Sequence, residues 1–137
     1  MEVKVIWSEG MAFESHQNNH KIMLDAEARF GGQDKGPPPK TLVLSSLAGC
    51  TAMDVISILN KMKISPESFK VKVEADLSKE HPKVFTRIHL TYFFQGNDLP
   101  LDKLEKAVNL SQEKYCGVSA MLSKVCPLSY EIITESA

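Results

Sequence analysis

The first twenty-five residues alternate apolar and polar positions in short steps, through Val3, Val5 and Trp7 and later Ile22 and Leu24, with breaks at Glu9-Gly10 and Gln17-Asn18-Asn19. That period of two, punctuated by turn formers, predicts antiparallel strands joined by tight turns. The run GGQDKGPPP from Gly31 to Pro39 holds too much Gly and Pro for a regular element and reads as a loop whose last prolines open a helix. Residues 41 to 59, TLVLSSLAGCTAMDVISIL, then carry one charge, Asp54, in nineteen positions. Leu44, Leu47, Ala48, Thr51, Val55, Ile58 and Leu59 form one stripe at helical spacing, and Val43, Ser46, Cys50, Met53 and Ser57 form a second. A helix apolar on all sides is a buried one, and burying both stripes in so small a domain calls for a second subunit. The length also raises a membrane span. The embedded Asp54 and the Ser, Thr, Ala and Gly content argue against it, and no membrane association is expected.

Beyond the Ser65-Pro66-Glu67 turn, FKVKVEADL and VFTRIHLTYFFQG are β-branched and aromatic runs that predict a hairpin with a loose connection. Pro100-Leu101-Asp102 opens a helix marked by Leu101, Leu104, Val108 and Ser111 or Gln112, which stops near Tyr115-Cys116-Gly117. A short helix, VSAMLSKV, and a final strand, LSYEIIT, follow. The order of strands, long helix, two strands, helix, short helix and strand predicts an α+β fold with antiparallel sheets. At 137 residues the chain is expected to form a single domain, 1–137.

The net charge of -1, with Lys and Arg dispersed among Asp and Glu, supplies no basic stripe, so no nucleic acid is expected as a partner. The N-terminus MEVKVIWSEG has no secretory-signal pattern, and the expected compartment is cytoplasmic. Three cysteines, Cys50, Cys116 and Cys126, are too few and too separated for a disulfide scaffold. Cys50, in mid-helix, reads either as a small buried hydrophobe or as a thiol that needs a nearby cation to ionise. Cys116, between two helices, reads either as a boundary thiol or as one acidified by free backbone N–H groups. Cys126, before Pro127, reads as structural.

His16 and His20 have helical ligand spacing but flank a turn, no CxxC pair exists, and Cys116 with Cys126 lacks zinc spacing, so neither metal nor cofactor is expected. GGQDKG lacks the Lys-Ser/Thr of a phosphate loop. A Cys–His hydrolase would have to recruit His81 or His89, and nothing marks either.

Two segments together carry a family resemblance. GPPPKTLVLSSLAGCTAMDVISILNK resembles the first-cysteine helix of the OsmC/Ohr superfamily, and LSQEKYCGVSAMLSK resembles its second-cysteine region, in the same order and sixty-six positions apart. AGCTAMDV is most similar to the OsmC-like branch. The resemblance implies an intertwined homodimer with the long helices at its centre and the site at the interface. It further implies thiol-dependent reduction of an organic hydroperoxide at catalytic Cys50, a disulfide with Cys116, assistance from Arg29, and resetting by a small dithiol or thiol reductant. Read from the residues alone, Arg29 is a solvated strand-end charge. One departure stands out: Lys40 lies ten residues before the first cysteine, where the Ohr and classical OsmC branches have a glutamate that orients the arginine. A cation cannot accept the arginine's hydrogen bonds. The alternative function is a non-catalytic protein of the same fold that binds a small hydrophobic ligand or senses redox state.

Overall fold

The computed structural model describes residues 1–137, which form two compact units, Met1–Leu44 and Ser45–Ala137. In the first unit, β1 (Lys4–Glu9), β2 (Ala12–Gln17) and β3 (His20–Leu24) make an antiparallel sheet in that order. Asn18 and Asn19, with φ of 47° and 66°, turn β2 into β3. This is the left-handed pair that a tight hairpin requires and that asparagine tolerates. His16 and His20 therefore lie on adjacent antiparallel strands and not along a helix.

The loop after β3 is organised by one carboxylate that composition did not reveal. Asp25, 3% exposed, accepts hydrogen bonds from the backbone N–H groups of Ala26 at 2.7 Å and of Gln33 and Lys35, both at 3.1 Å. The chain folds back so closely that a Cβ on Gly32 would lie 1.8 Å from the Ala26 carbonyl oxygen, and one on Gly36 would lie 2.3 Å from that of Met23. No other residue fits at either position, which is why the Pro-rich run is also Gly-rich. A one-turn 3₁₀ helix, Ala28–Phe30, lies within this loop.

Helix α1, Pro39–Lys61, begins at a proline, whose missing N–H would be unpaired in the first turn in any case. By length and composition alone it is long and apolar enough to cross a bilayer. In the fold, Leu47, Thr51, Val55 and Leu59 are fully inaccessible, and the three apolar ones belong to the core of the second unit. Burial of each such leucine or valine stabilises by about 1.5–3 kcal/mol. The expectation of burial all round holds for this stripe alone, because within one chain Val43, Ser46, Met53 and Ser57 on the second stripe are exposed, Met53 to 76%.

The second sheet contains β4 (Ser68–Leu77), β5 (Phe85–Gln95) and β6 (Leu128–Glu135), with β5 in the middle. β4 and β5 form the expected antiparallel hairpin. β6 runs parallel to β5, which corrects the expectation of antiparallel sheets throughout. The reason is the connection between them: α2 (Leu101–Leu110), a π turn (Ser111–Tyr115) and α3 (Gly117–Leu122) form a helical crossover, which returns the chain to the same end of the sheet. Ile88, Leu90, Tyr92 and Phe94 alternate along β5 into the core, where they join Leu104, Ala107 and Val108 of α2. Phe69 stacks on Phe94 with ring centroids 4.6 Å apart, and Tyr130 meets Tyr92 edge-on at 6.2 Å.

Candidate active site

The second unit brings together residues far apart in sequence. The sulfurs of Cys50 and Cys116 and a carboxylate oxygen of Asp54 all lie within 4.8 Å of one another. Cys50 and Asp54 occupy successive turns of α1, one helical repeat apart, and both are half-buried. Cys116 is 3% exposed and is the N-cap of α3, its sulfur accepting the backbone N–H of Ser119 at 3.3 Å.

Cys116 is positioned by the π turn. Its backbone N–H donates to the Ser111 carbonyl at 2.7 Å, a bond that spans five residues and widens the end of α2. Such single wide turns interrupt a helix to aim side chains. Here Ser111 and Gln112 reach the buried face of α1. The Ser111 hydroxyl donates to Asp54 Oδ2 at 3.0 Å and shares a 2.7 Å hydrogen bond with the Thr51 hydroxyl. Thr51 shares a second 2.7 Å bond with the Tyr92 hydroxyl, and Gln112 Nε2 donates to Tyr92 at 2.6 Å and to Thr51 at 3.3 Å. Each hydroxyl has one proton, so the direction is fixed once Asp54 is ionised: Ser111 donates to Asp54, Thr51 to Ser111 and Tyr92 to Thr51. The chain of hydroxyls therefore terminates on the carboxylate beside the thiols. Burial is the main cause of a Tyr92 pKa above the ordinary phenol value, offset in part by Thr51 and Gln112, which keeps Tyr92 a donor.

Burial likewise raises the Cys116 thiol above its ordinary pKa; the Ser119 hydroxyl and N–H oppose this, and nearby Cys50 reinforces it. The Ser119 hydroxyl is buried without a conventional hydrogen-bond partner, yet it is close enough to this sulfur to favour its charged form. Thr51, Tyr92, Ser111, Gln112 and Ser119 were not among the residues expected from sequence. The only trace they left was polarity at helix or strand positions that periodicity assigns to the core.

Arg29 lies in the first unit, in the 3₁₀ turn, with its side chain 72% exposed. Its Nε donates to Glu27 Oε2 at 2.6 Å, and its guanidinium lies 4.7 Å from the centroid of the Phe30 ring. Glu27 thus provides the carboxylate acceptor that Lys40, exposed in the first turn of α1, cannot be. Cys126 is buried in the core of the second unit. His89 Nδ1 is hydrogen-bonded to Ser129 at 2.7 Å, and alternation along β5 places His89 opposite the face that carries Tyr92 and the thiols' neighbours.

A half-buried thiol on a helix, a capped thiol opposite it and a polar relay behind both define a two-cysteine α+β protein. The chain belongs to the OsmC-like family, whose model matches residues 32–131 under the description "OsmC-like protein". It is 37% identical over 136 residues to "Protein YhfA" of Escherichia coli K12, covering 97% of this chain and 98% of that protein. A crystal structure of a hypothetical protein from Aquifex aeolicus VF5 superposes with a TM-score of 0.82 at 31% identity, covering 98% of this chain and 96% of the other. The organic hydroperoxide resistance protein OhrB of Bacillus subtilis shares the fold, with a TM-score of 0.68 at 17% identity and coverage of 97% and 98%.

Proposed function

We propose that this protein reduces organic hydroperoxides, or related small oxidants, through a two-cysteine cycle in the cytoplasm. The observation that carries the reading is the convergence of Cys50 and Cys116, from separate helices, within 4.8 Å. Membership in the OsmC-like family, with a fold shared by hydroperoxide resistance proteins, supports peroxide-related redox chemistry.

In the proposed cycle the Cys50 thiolate attacks one oxygen of the peroxide R–O–O–H. The O–O bond breaks, sulfenic acid forms on Cys50, and the alkoxide leaves as the alcohol after taking a proton. The Cys116 thiol then condenses with the sulfenic acid, so that a disulfide forms and water is released. A small dithiol or thiol reductant restores both thiols by exchange. Cys116 suits the second step because burial keeps it a thiol until the sulfenic acid forms. Arg29 is the proposed cationic assistant to the Cys50 thiolate, with its guanidinium oriented by Glu27.

The proposed assembly is a homodimer. Its support is apolar surface that a lone chain leaves in water: Met53 at 76% exposure on α1, and Trp7 at 65% with Val3, Val5 and Ile6 around β1. The test is hydroperoxide consumption. With excess dithiol, Cys50→Ser is expected to reduce it to the uncatalysed background, whereas pre-reduced Cys116→Ser, assayed with no added thiol, should consume one equivalent and stop at Cys50 sulfenic acid. Undiminished turnover in Cys50→Ser would refute the reading.

A further inference from the structure

The thiol pair and Asp54 form a cluster that disulfide chemistry alone does not explain. A carboxylate beside two thiols disfavours their ionisation, which a site built only for thiolate attack would avoid. Two sulfurs and one carboxylate oxygen within 4.8 Å, all in half-buried or buried positions, are instead the donor set of a thiophilic divalent cation. We propose that the reduced protein binds Zn²⁺ through Cys50 Sγ, Cys116 Sγ and a carboxylate oxygen of Asp54, with a fourth position left to solvent.

Zinc–sulfur bonds of about 2.3 Å and zinc–oxygen bonds of about 2.0–2.2 Å place tetrahedral ligand atoms roughly 3.5 Å apart. The cluster needs only a rotamer-scale contraction to reach that spacing. Two of the ligands are held from behind. Ser111 donates to Asp54 Oδ2 at 3.0 Å, which leaves the other carboxylate oxygen available to the ion. The Ser119 N–H points at Cys116 Sγ, and the Ser119 hydroxyl, in a residue 2% exposed, lacks a conventional partner. A metal-bound thiolate would be a stronger acceptor for that hydroxyl than the neutral thiol beside it. Outer-shell hydrogen bonds of this kind orient and tune zinc ligands. Two sulfur donors exclude a preference for Mg²⁺ or Ca²⁺, and the carboxylate disfavours Cu(I), which selects soft ligands alone. Local spacing gave no reason to expect a metal, because the ligands come from elements sixty-six positions apart.

Binding balances as two thiols and Zn²⁺ giving a zinc dithiolate and two protons. It is incompatible with the Cys50–Cys116 disulfide, because both sulfurs would be consumed. Zinc therefore holds the protein reduced and unreactive, and oxidation releases the ion. The inference does not depend on peroxide turnover. Its test is titration of the full-length protein, reduced with a phosphine, with Zn²⁺ against a chromophoric zinc indicator, with Mg²⁺ in parallel and Co²⁺ as a spectroscopic probe. One Zn²⁺ per chain is expected, with a thiolate-to-Co²⁺ charge-transfer band and no competition from Mg²⁺. Cys50→Ser and Cys116→Ser should abolish the band. Asp54→Asn and the outer-shell variant Ser111→Ala should weaken Zn²⁺ binding by about 10–100-fold. Circular dichroism of each variant reports whether it is folded. Absence of stoichiometric binding, or Zn²⁺ affinity unchanged in Asp54→Asn or in a folded cysteine variant, would overturn the site. Peroxide-driven disulfide formation, scored separately in chelator-treated buffer, shows whether the redox reading fails with it.

Discussion

The two units hold their proposed functional groups in place by opposite means. In Ser45–Ala137 the thiols rest on a core in which Leu47, Leu59, Ile88, Leu90 and Tyr92 are fully buried, and Asp54 is tied through Ser111 and Thr51 to Tyr92. In Met1–Leu44 every residue of β1 is exposed, and Arg29 is held only by Glu27 and Phe30 at the surface. The thiol pair is thus complete in one chain, while the arginine region is built from exposed local contacts. Because the proposed nucleophile is preorganised by its own core, while the proposed cation depends on surface contacts, function should be lost abruptly at the first and gradually at the second.

The largest effect should come from the core side of that comparison. Cys50→Ser removes the proposed nucleophile, so peroxide turnover should disappear while the far-UV spectrum is retained. Next, Leu59→Ala opens a cavity in a fully buried position and should lower the unfolding free energy by about 2–5 kcal/mol in urea titrations. On the open side, Met53→Glu places a charge on the exposed stripe of α1. It should shift the proposed dimer to monomer in light scattering at micromolar concentration and leave the helical content unchanged; an unaltered dimer would remove that stripe from the interface.

Asp25 gives the first unit an acid-sensitive loop. Its three backbone hydrogen bonds, that of Lys35 foremost, hold its folded pKa below the ordinary carboxylate value. The carboxylate is covered by the thin loop it organises and not by a deep core. Because the folded pKa is the lower one, its contribution is fully present above the unfolded carboxylate pKa and disappears as pH falls through the depressed folded value. Asp25→Asn should therefore lower the Tm at pH 7 and leave it nearly unchanged in strong acid, as thermal scans at both pH values would show. The smallest effect belongs to Glu27→Gln. Exposed ion pairs are worth about 0.2–1 kcal/mol, so the rate of peroxide consumption should fall by only about 1.4- to 5-fold. A loss as large as that of Cys50→Ser would show the arginine to be as firmly built in as the thiols.

What was legible in the sequence follows the range of the interactions. The hairpin at Asn18-Asn19, the Pro39 helix start and the end of the helical run before Cys116 are set by neighbouring residues, so local pattern was enough. The parallel seat of β6 was not legible, because a strand's own alternation is the same whichever way its neighbour runs. Asp25 could not be distinguished from an ordinary loop acid, since its partners are backbone groups up to ten residues away. The cysteine motifs marked Cys50 and Cys116, but the relay behind them joins residues twenty to sixty-one positions apart, each of which alone looks like a tolerated polar side chain. Asp54 was conspicuous as the lone charge of residues 41 to 59, and only the fold shows that its hydrogen bond comes from Ser111.

The central claim, that Cys50 and Cys116 form one redox pair, is tested most directly by intact mass and peptide mapping of the reduced protein after one equivalent of cumene hydroperoxide, with hydrogen peroxide in parallel. The account predicts loss of two hydrogens, a single Cys50–Cys116 linked peptide and faster closure with the organic peroxide. A protein that stays reduced, or oxidises at Cys126 alone, would contradict it.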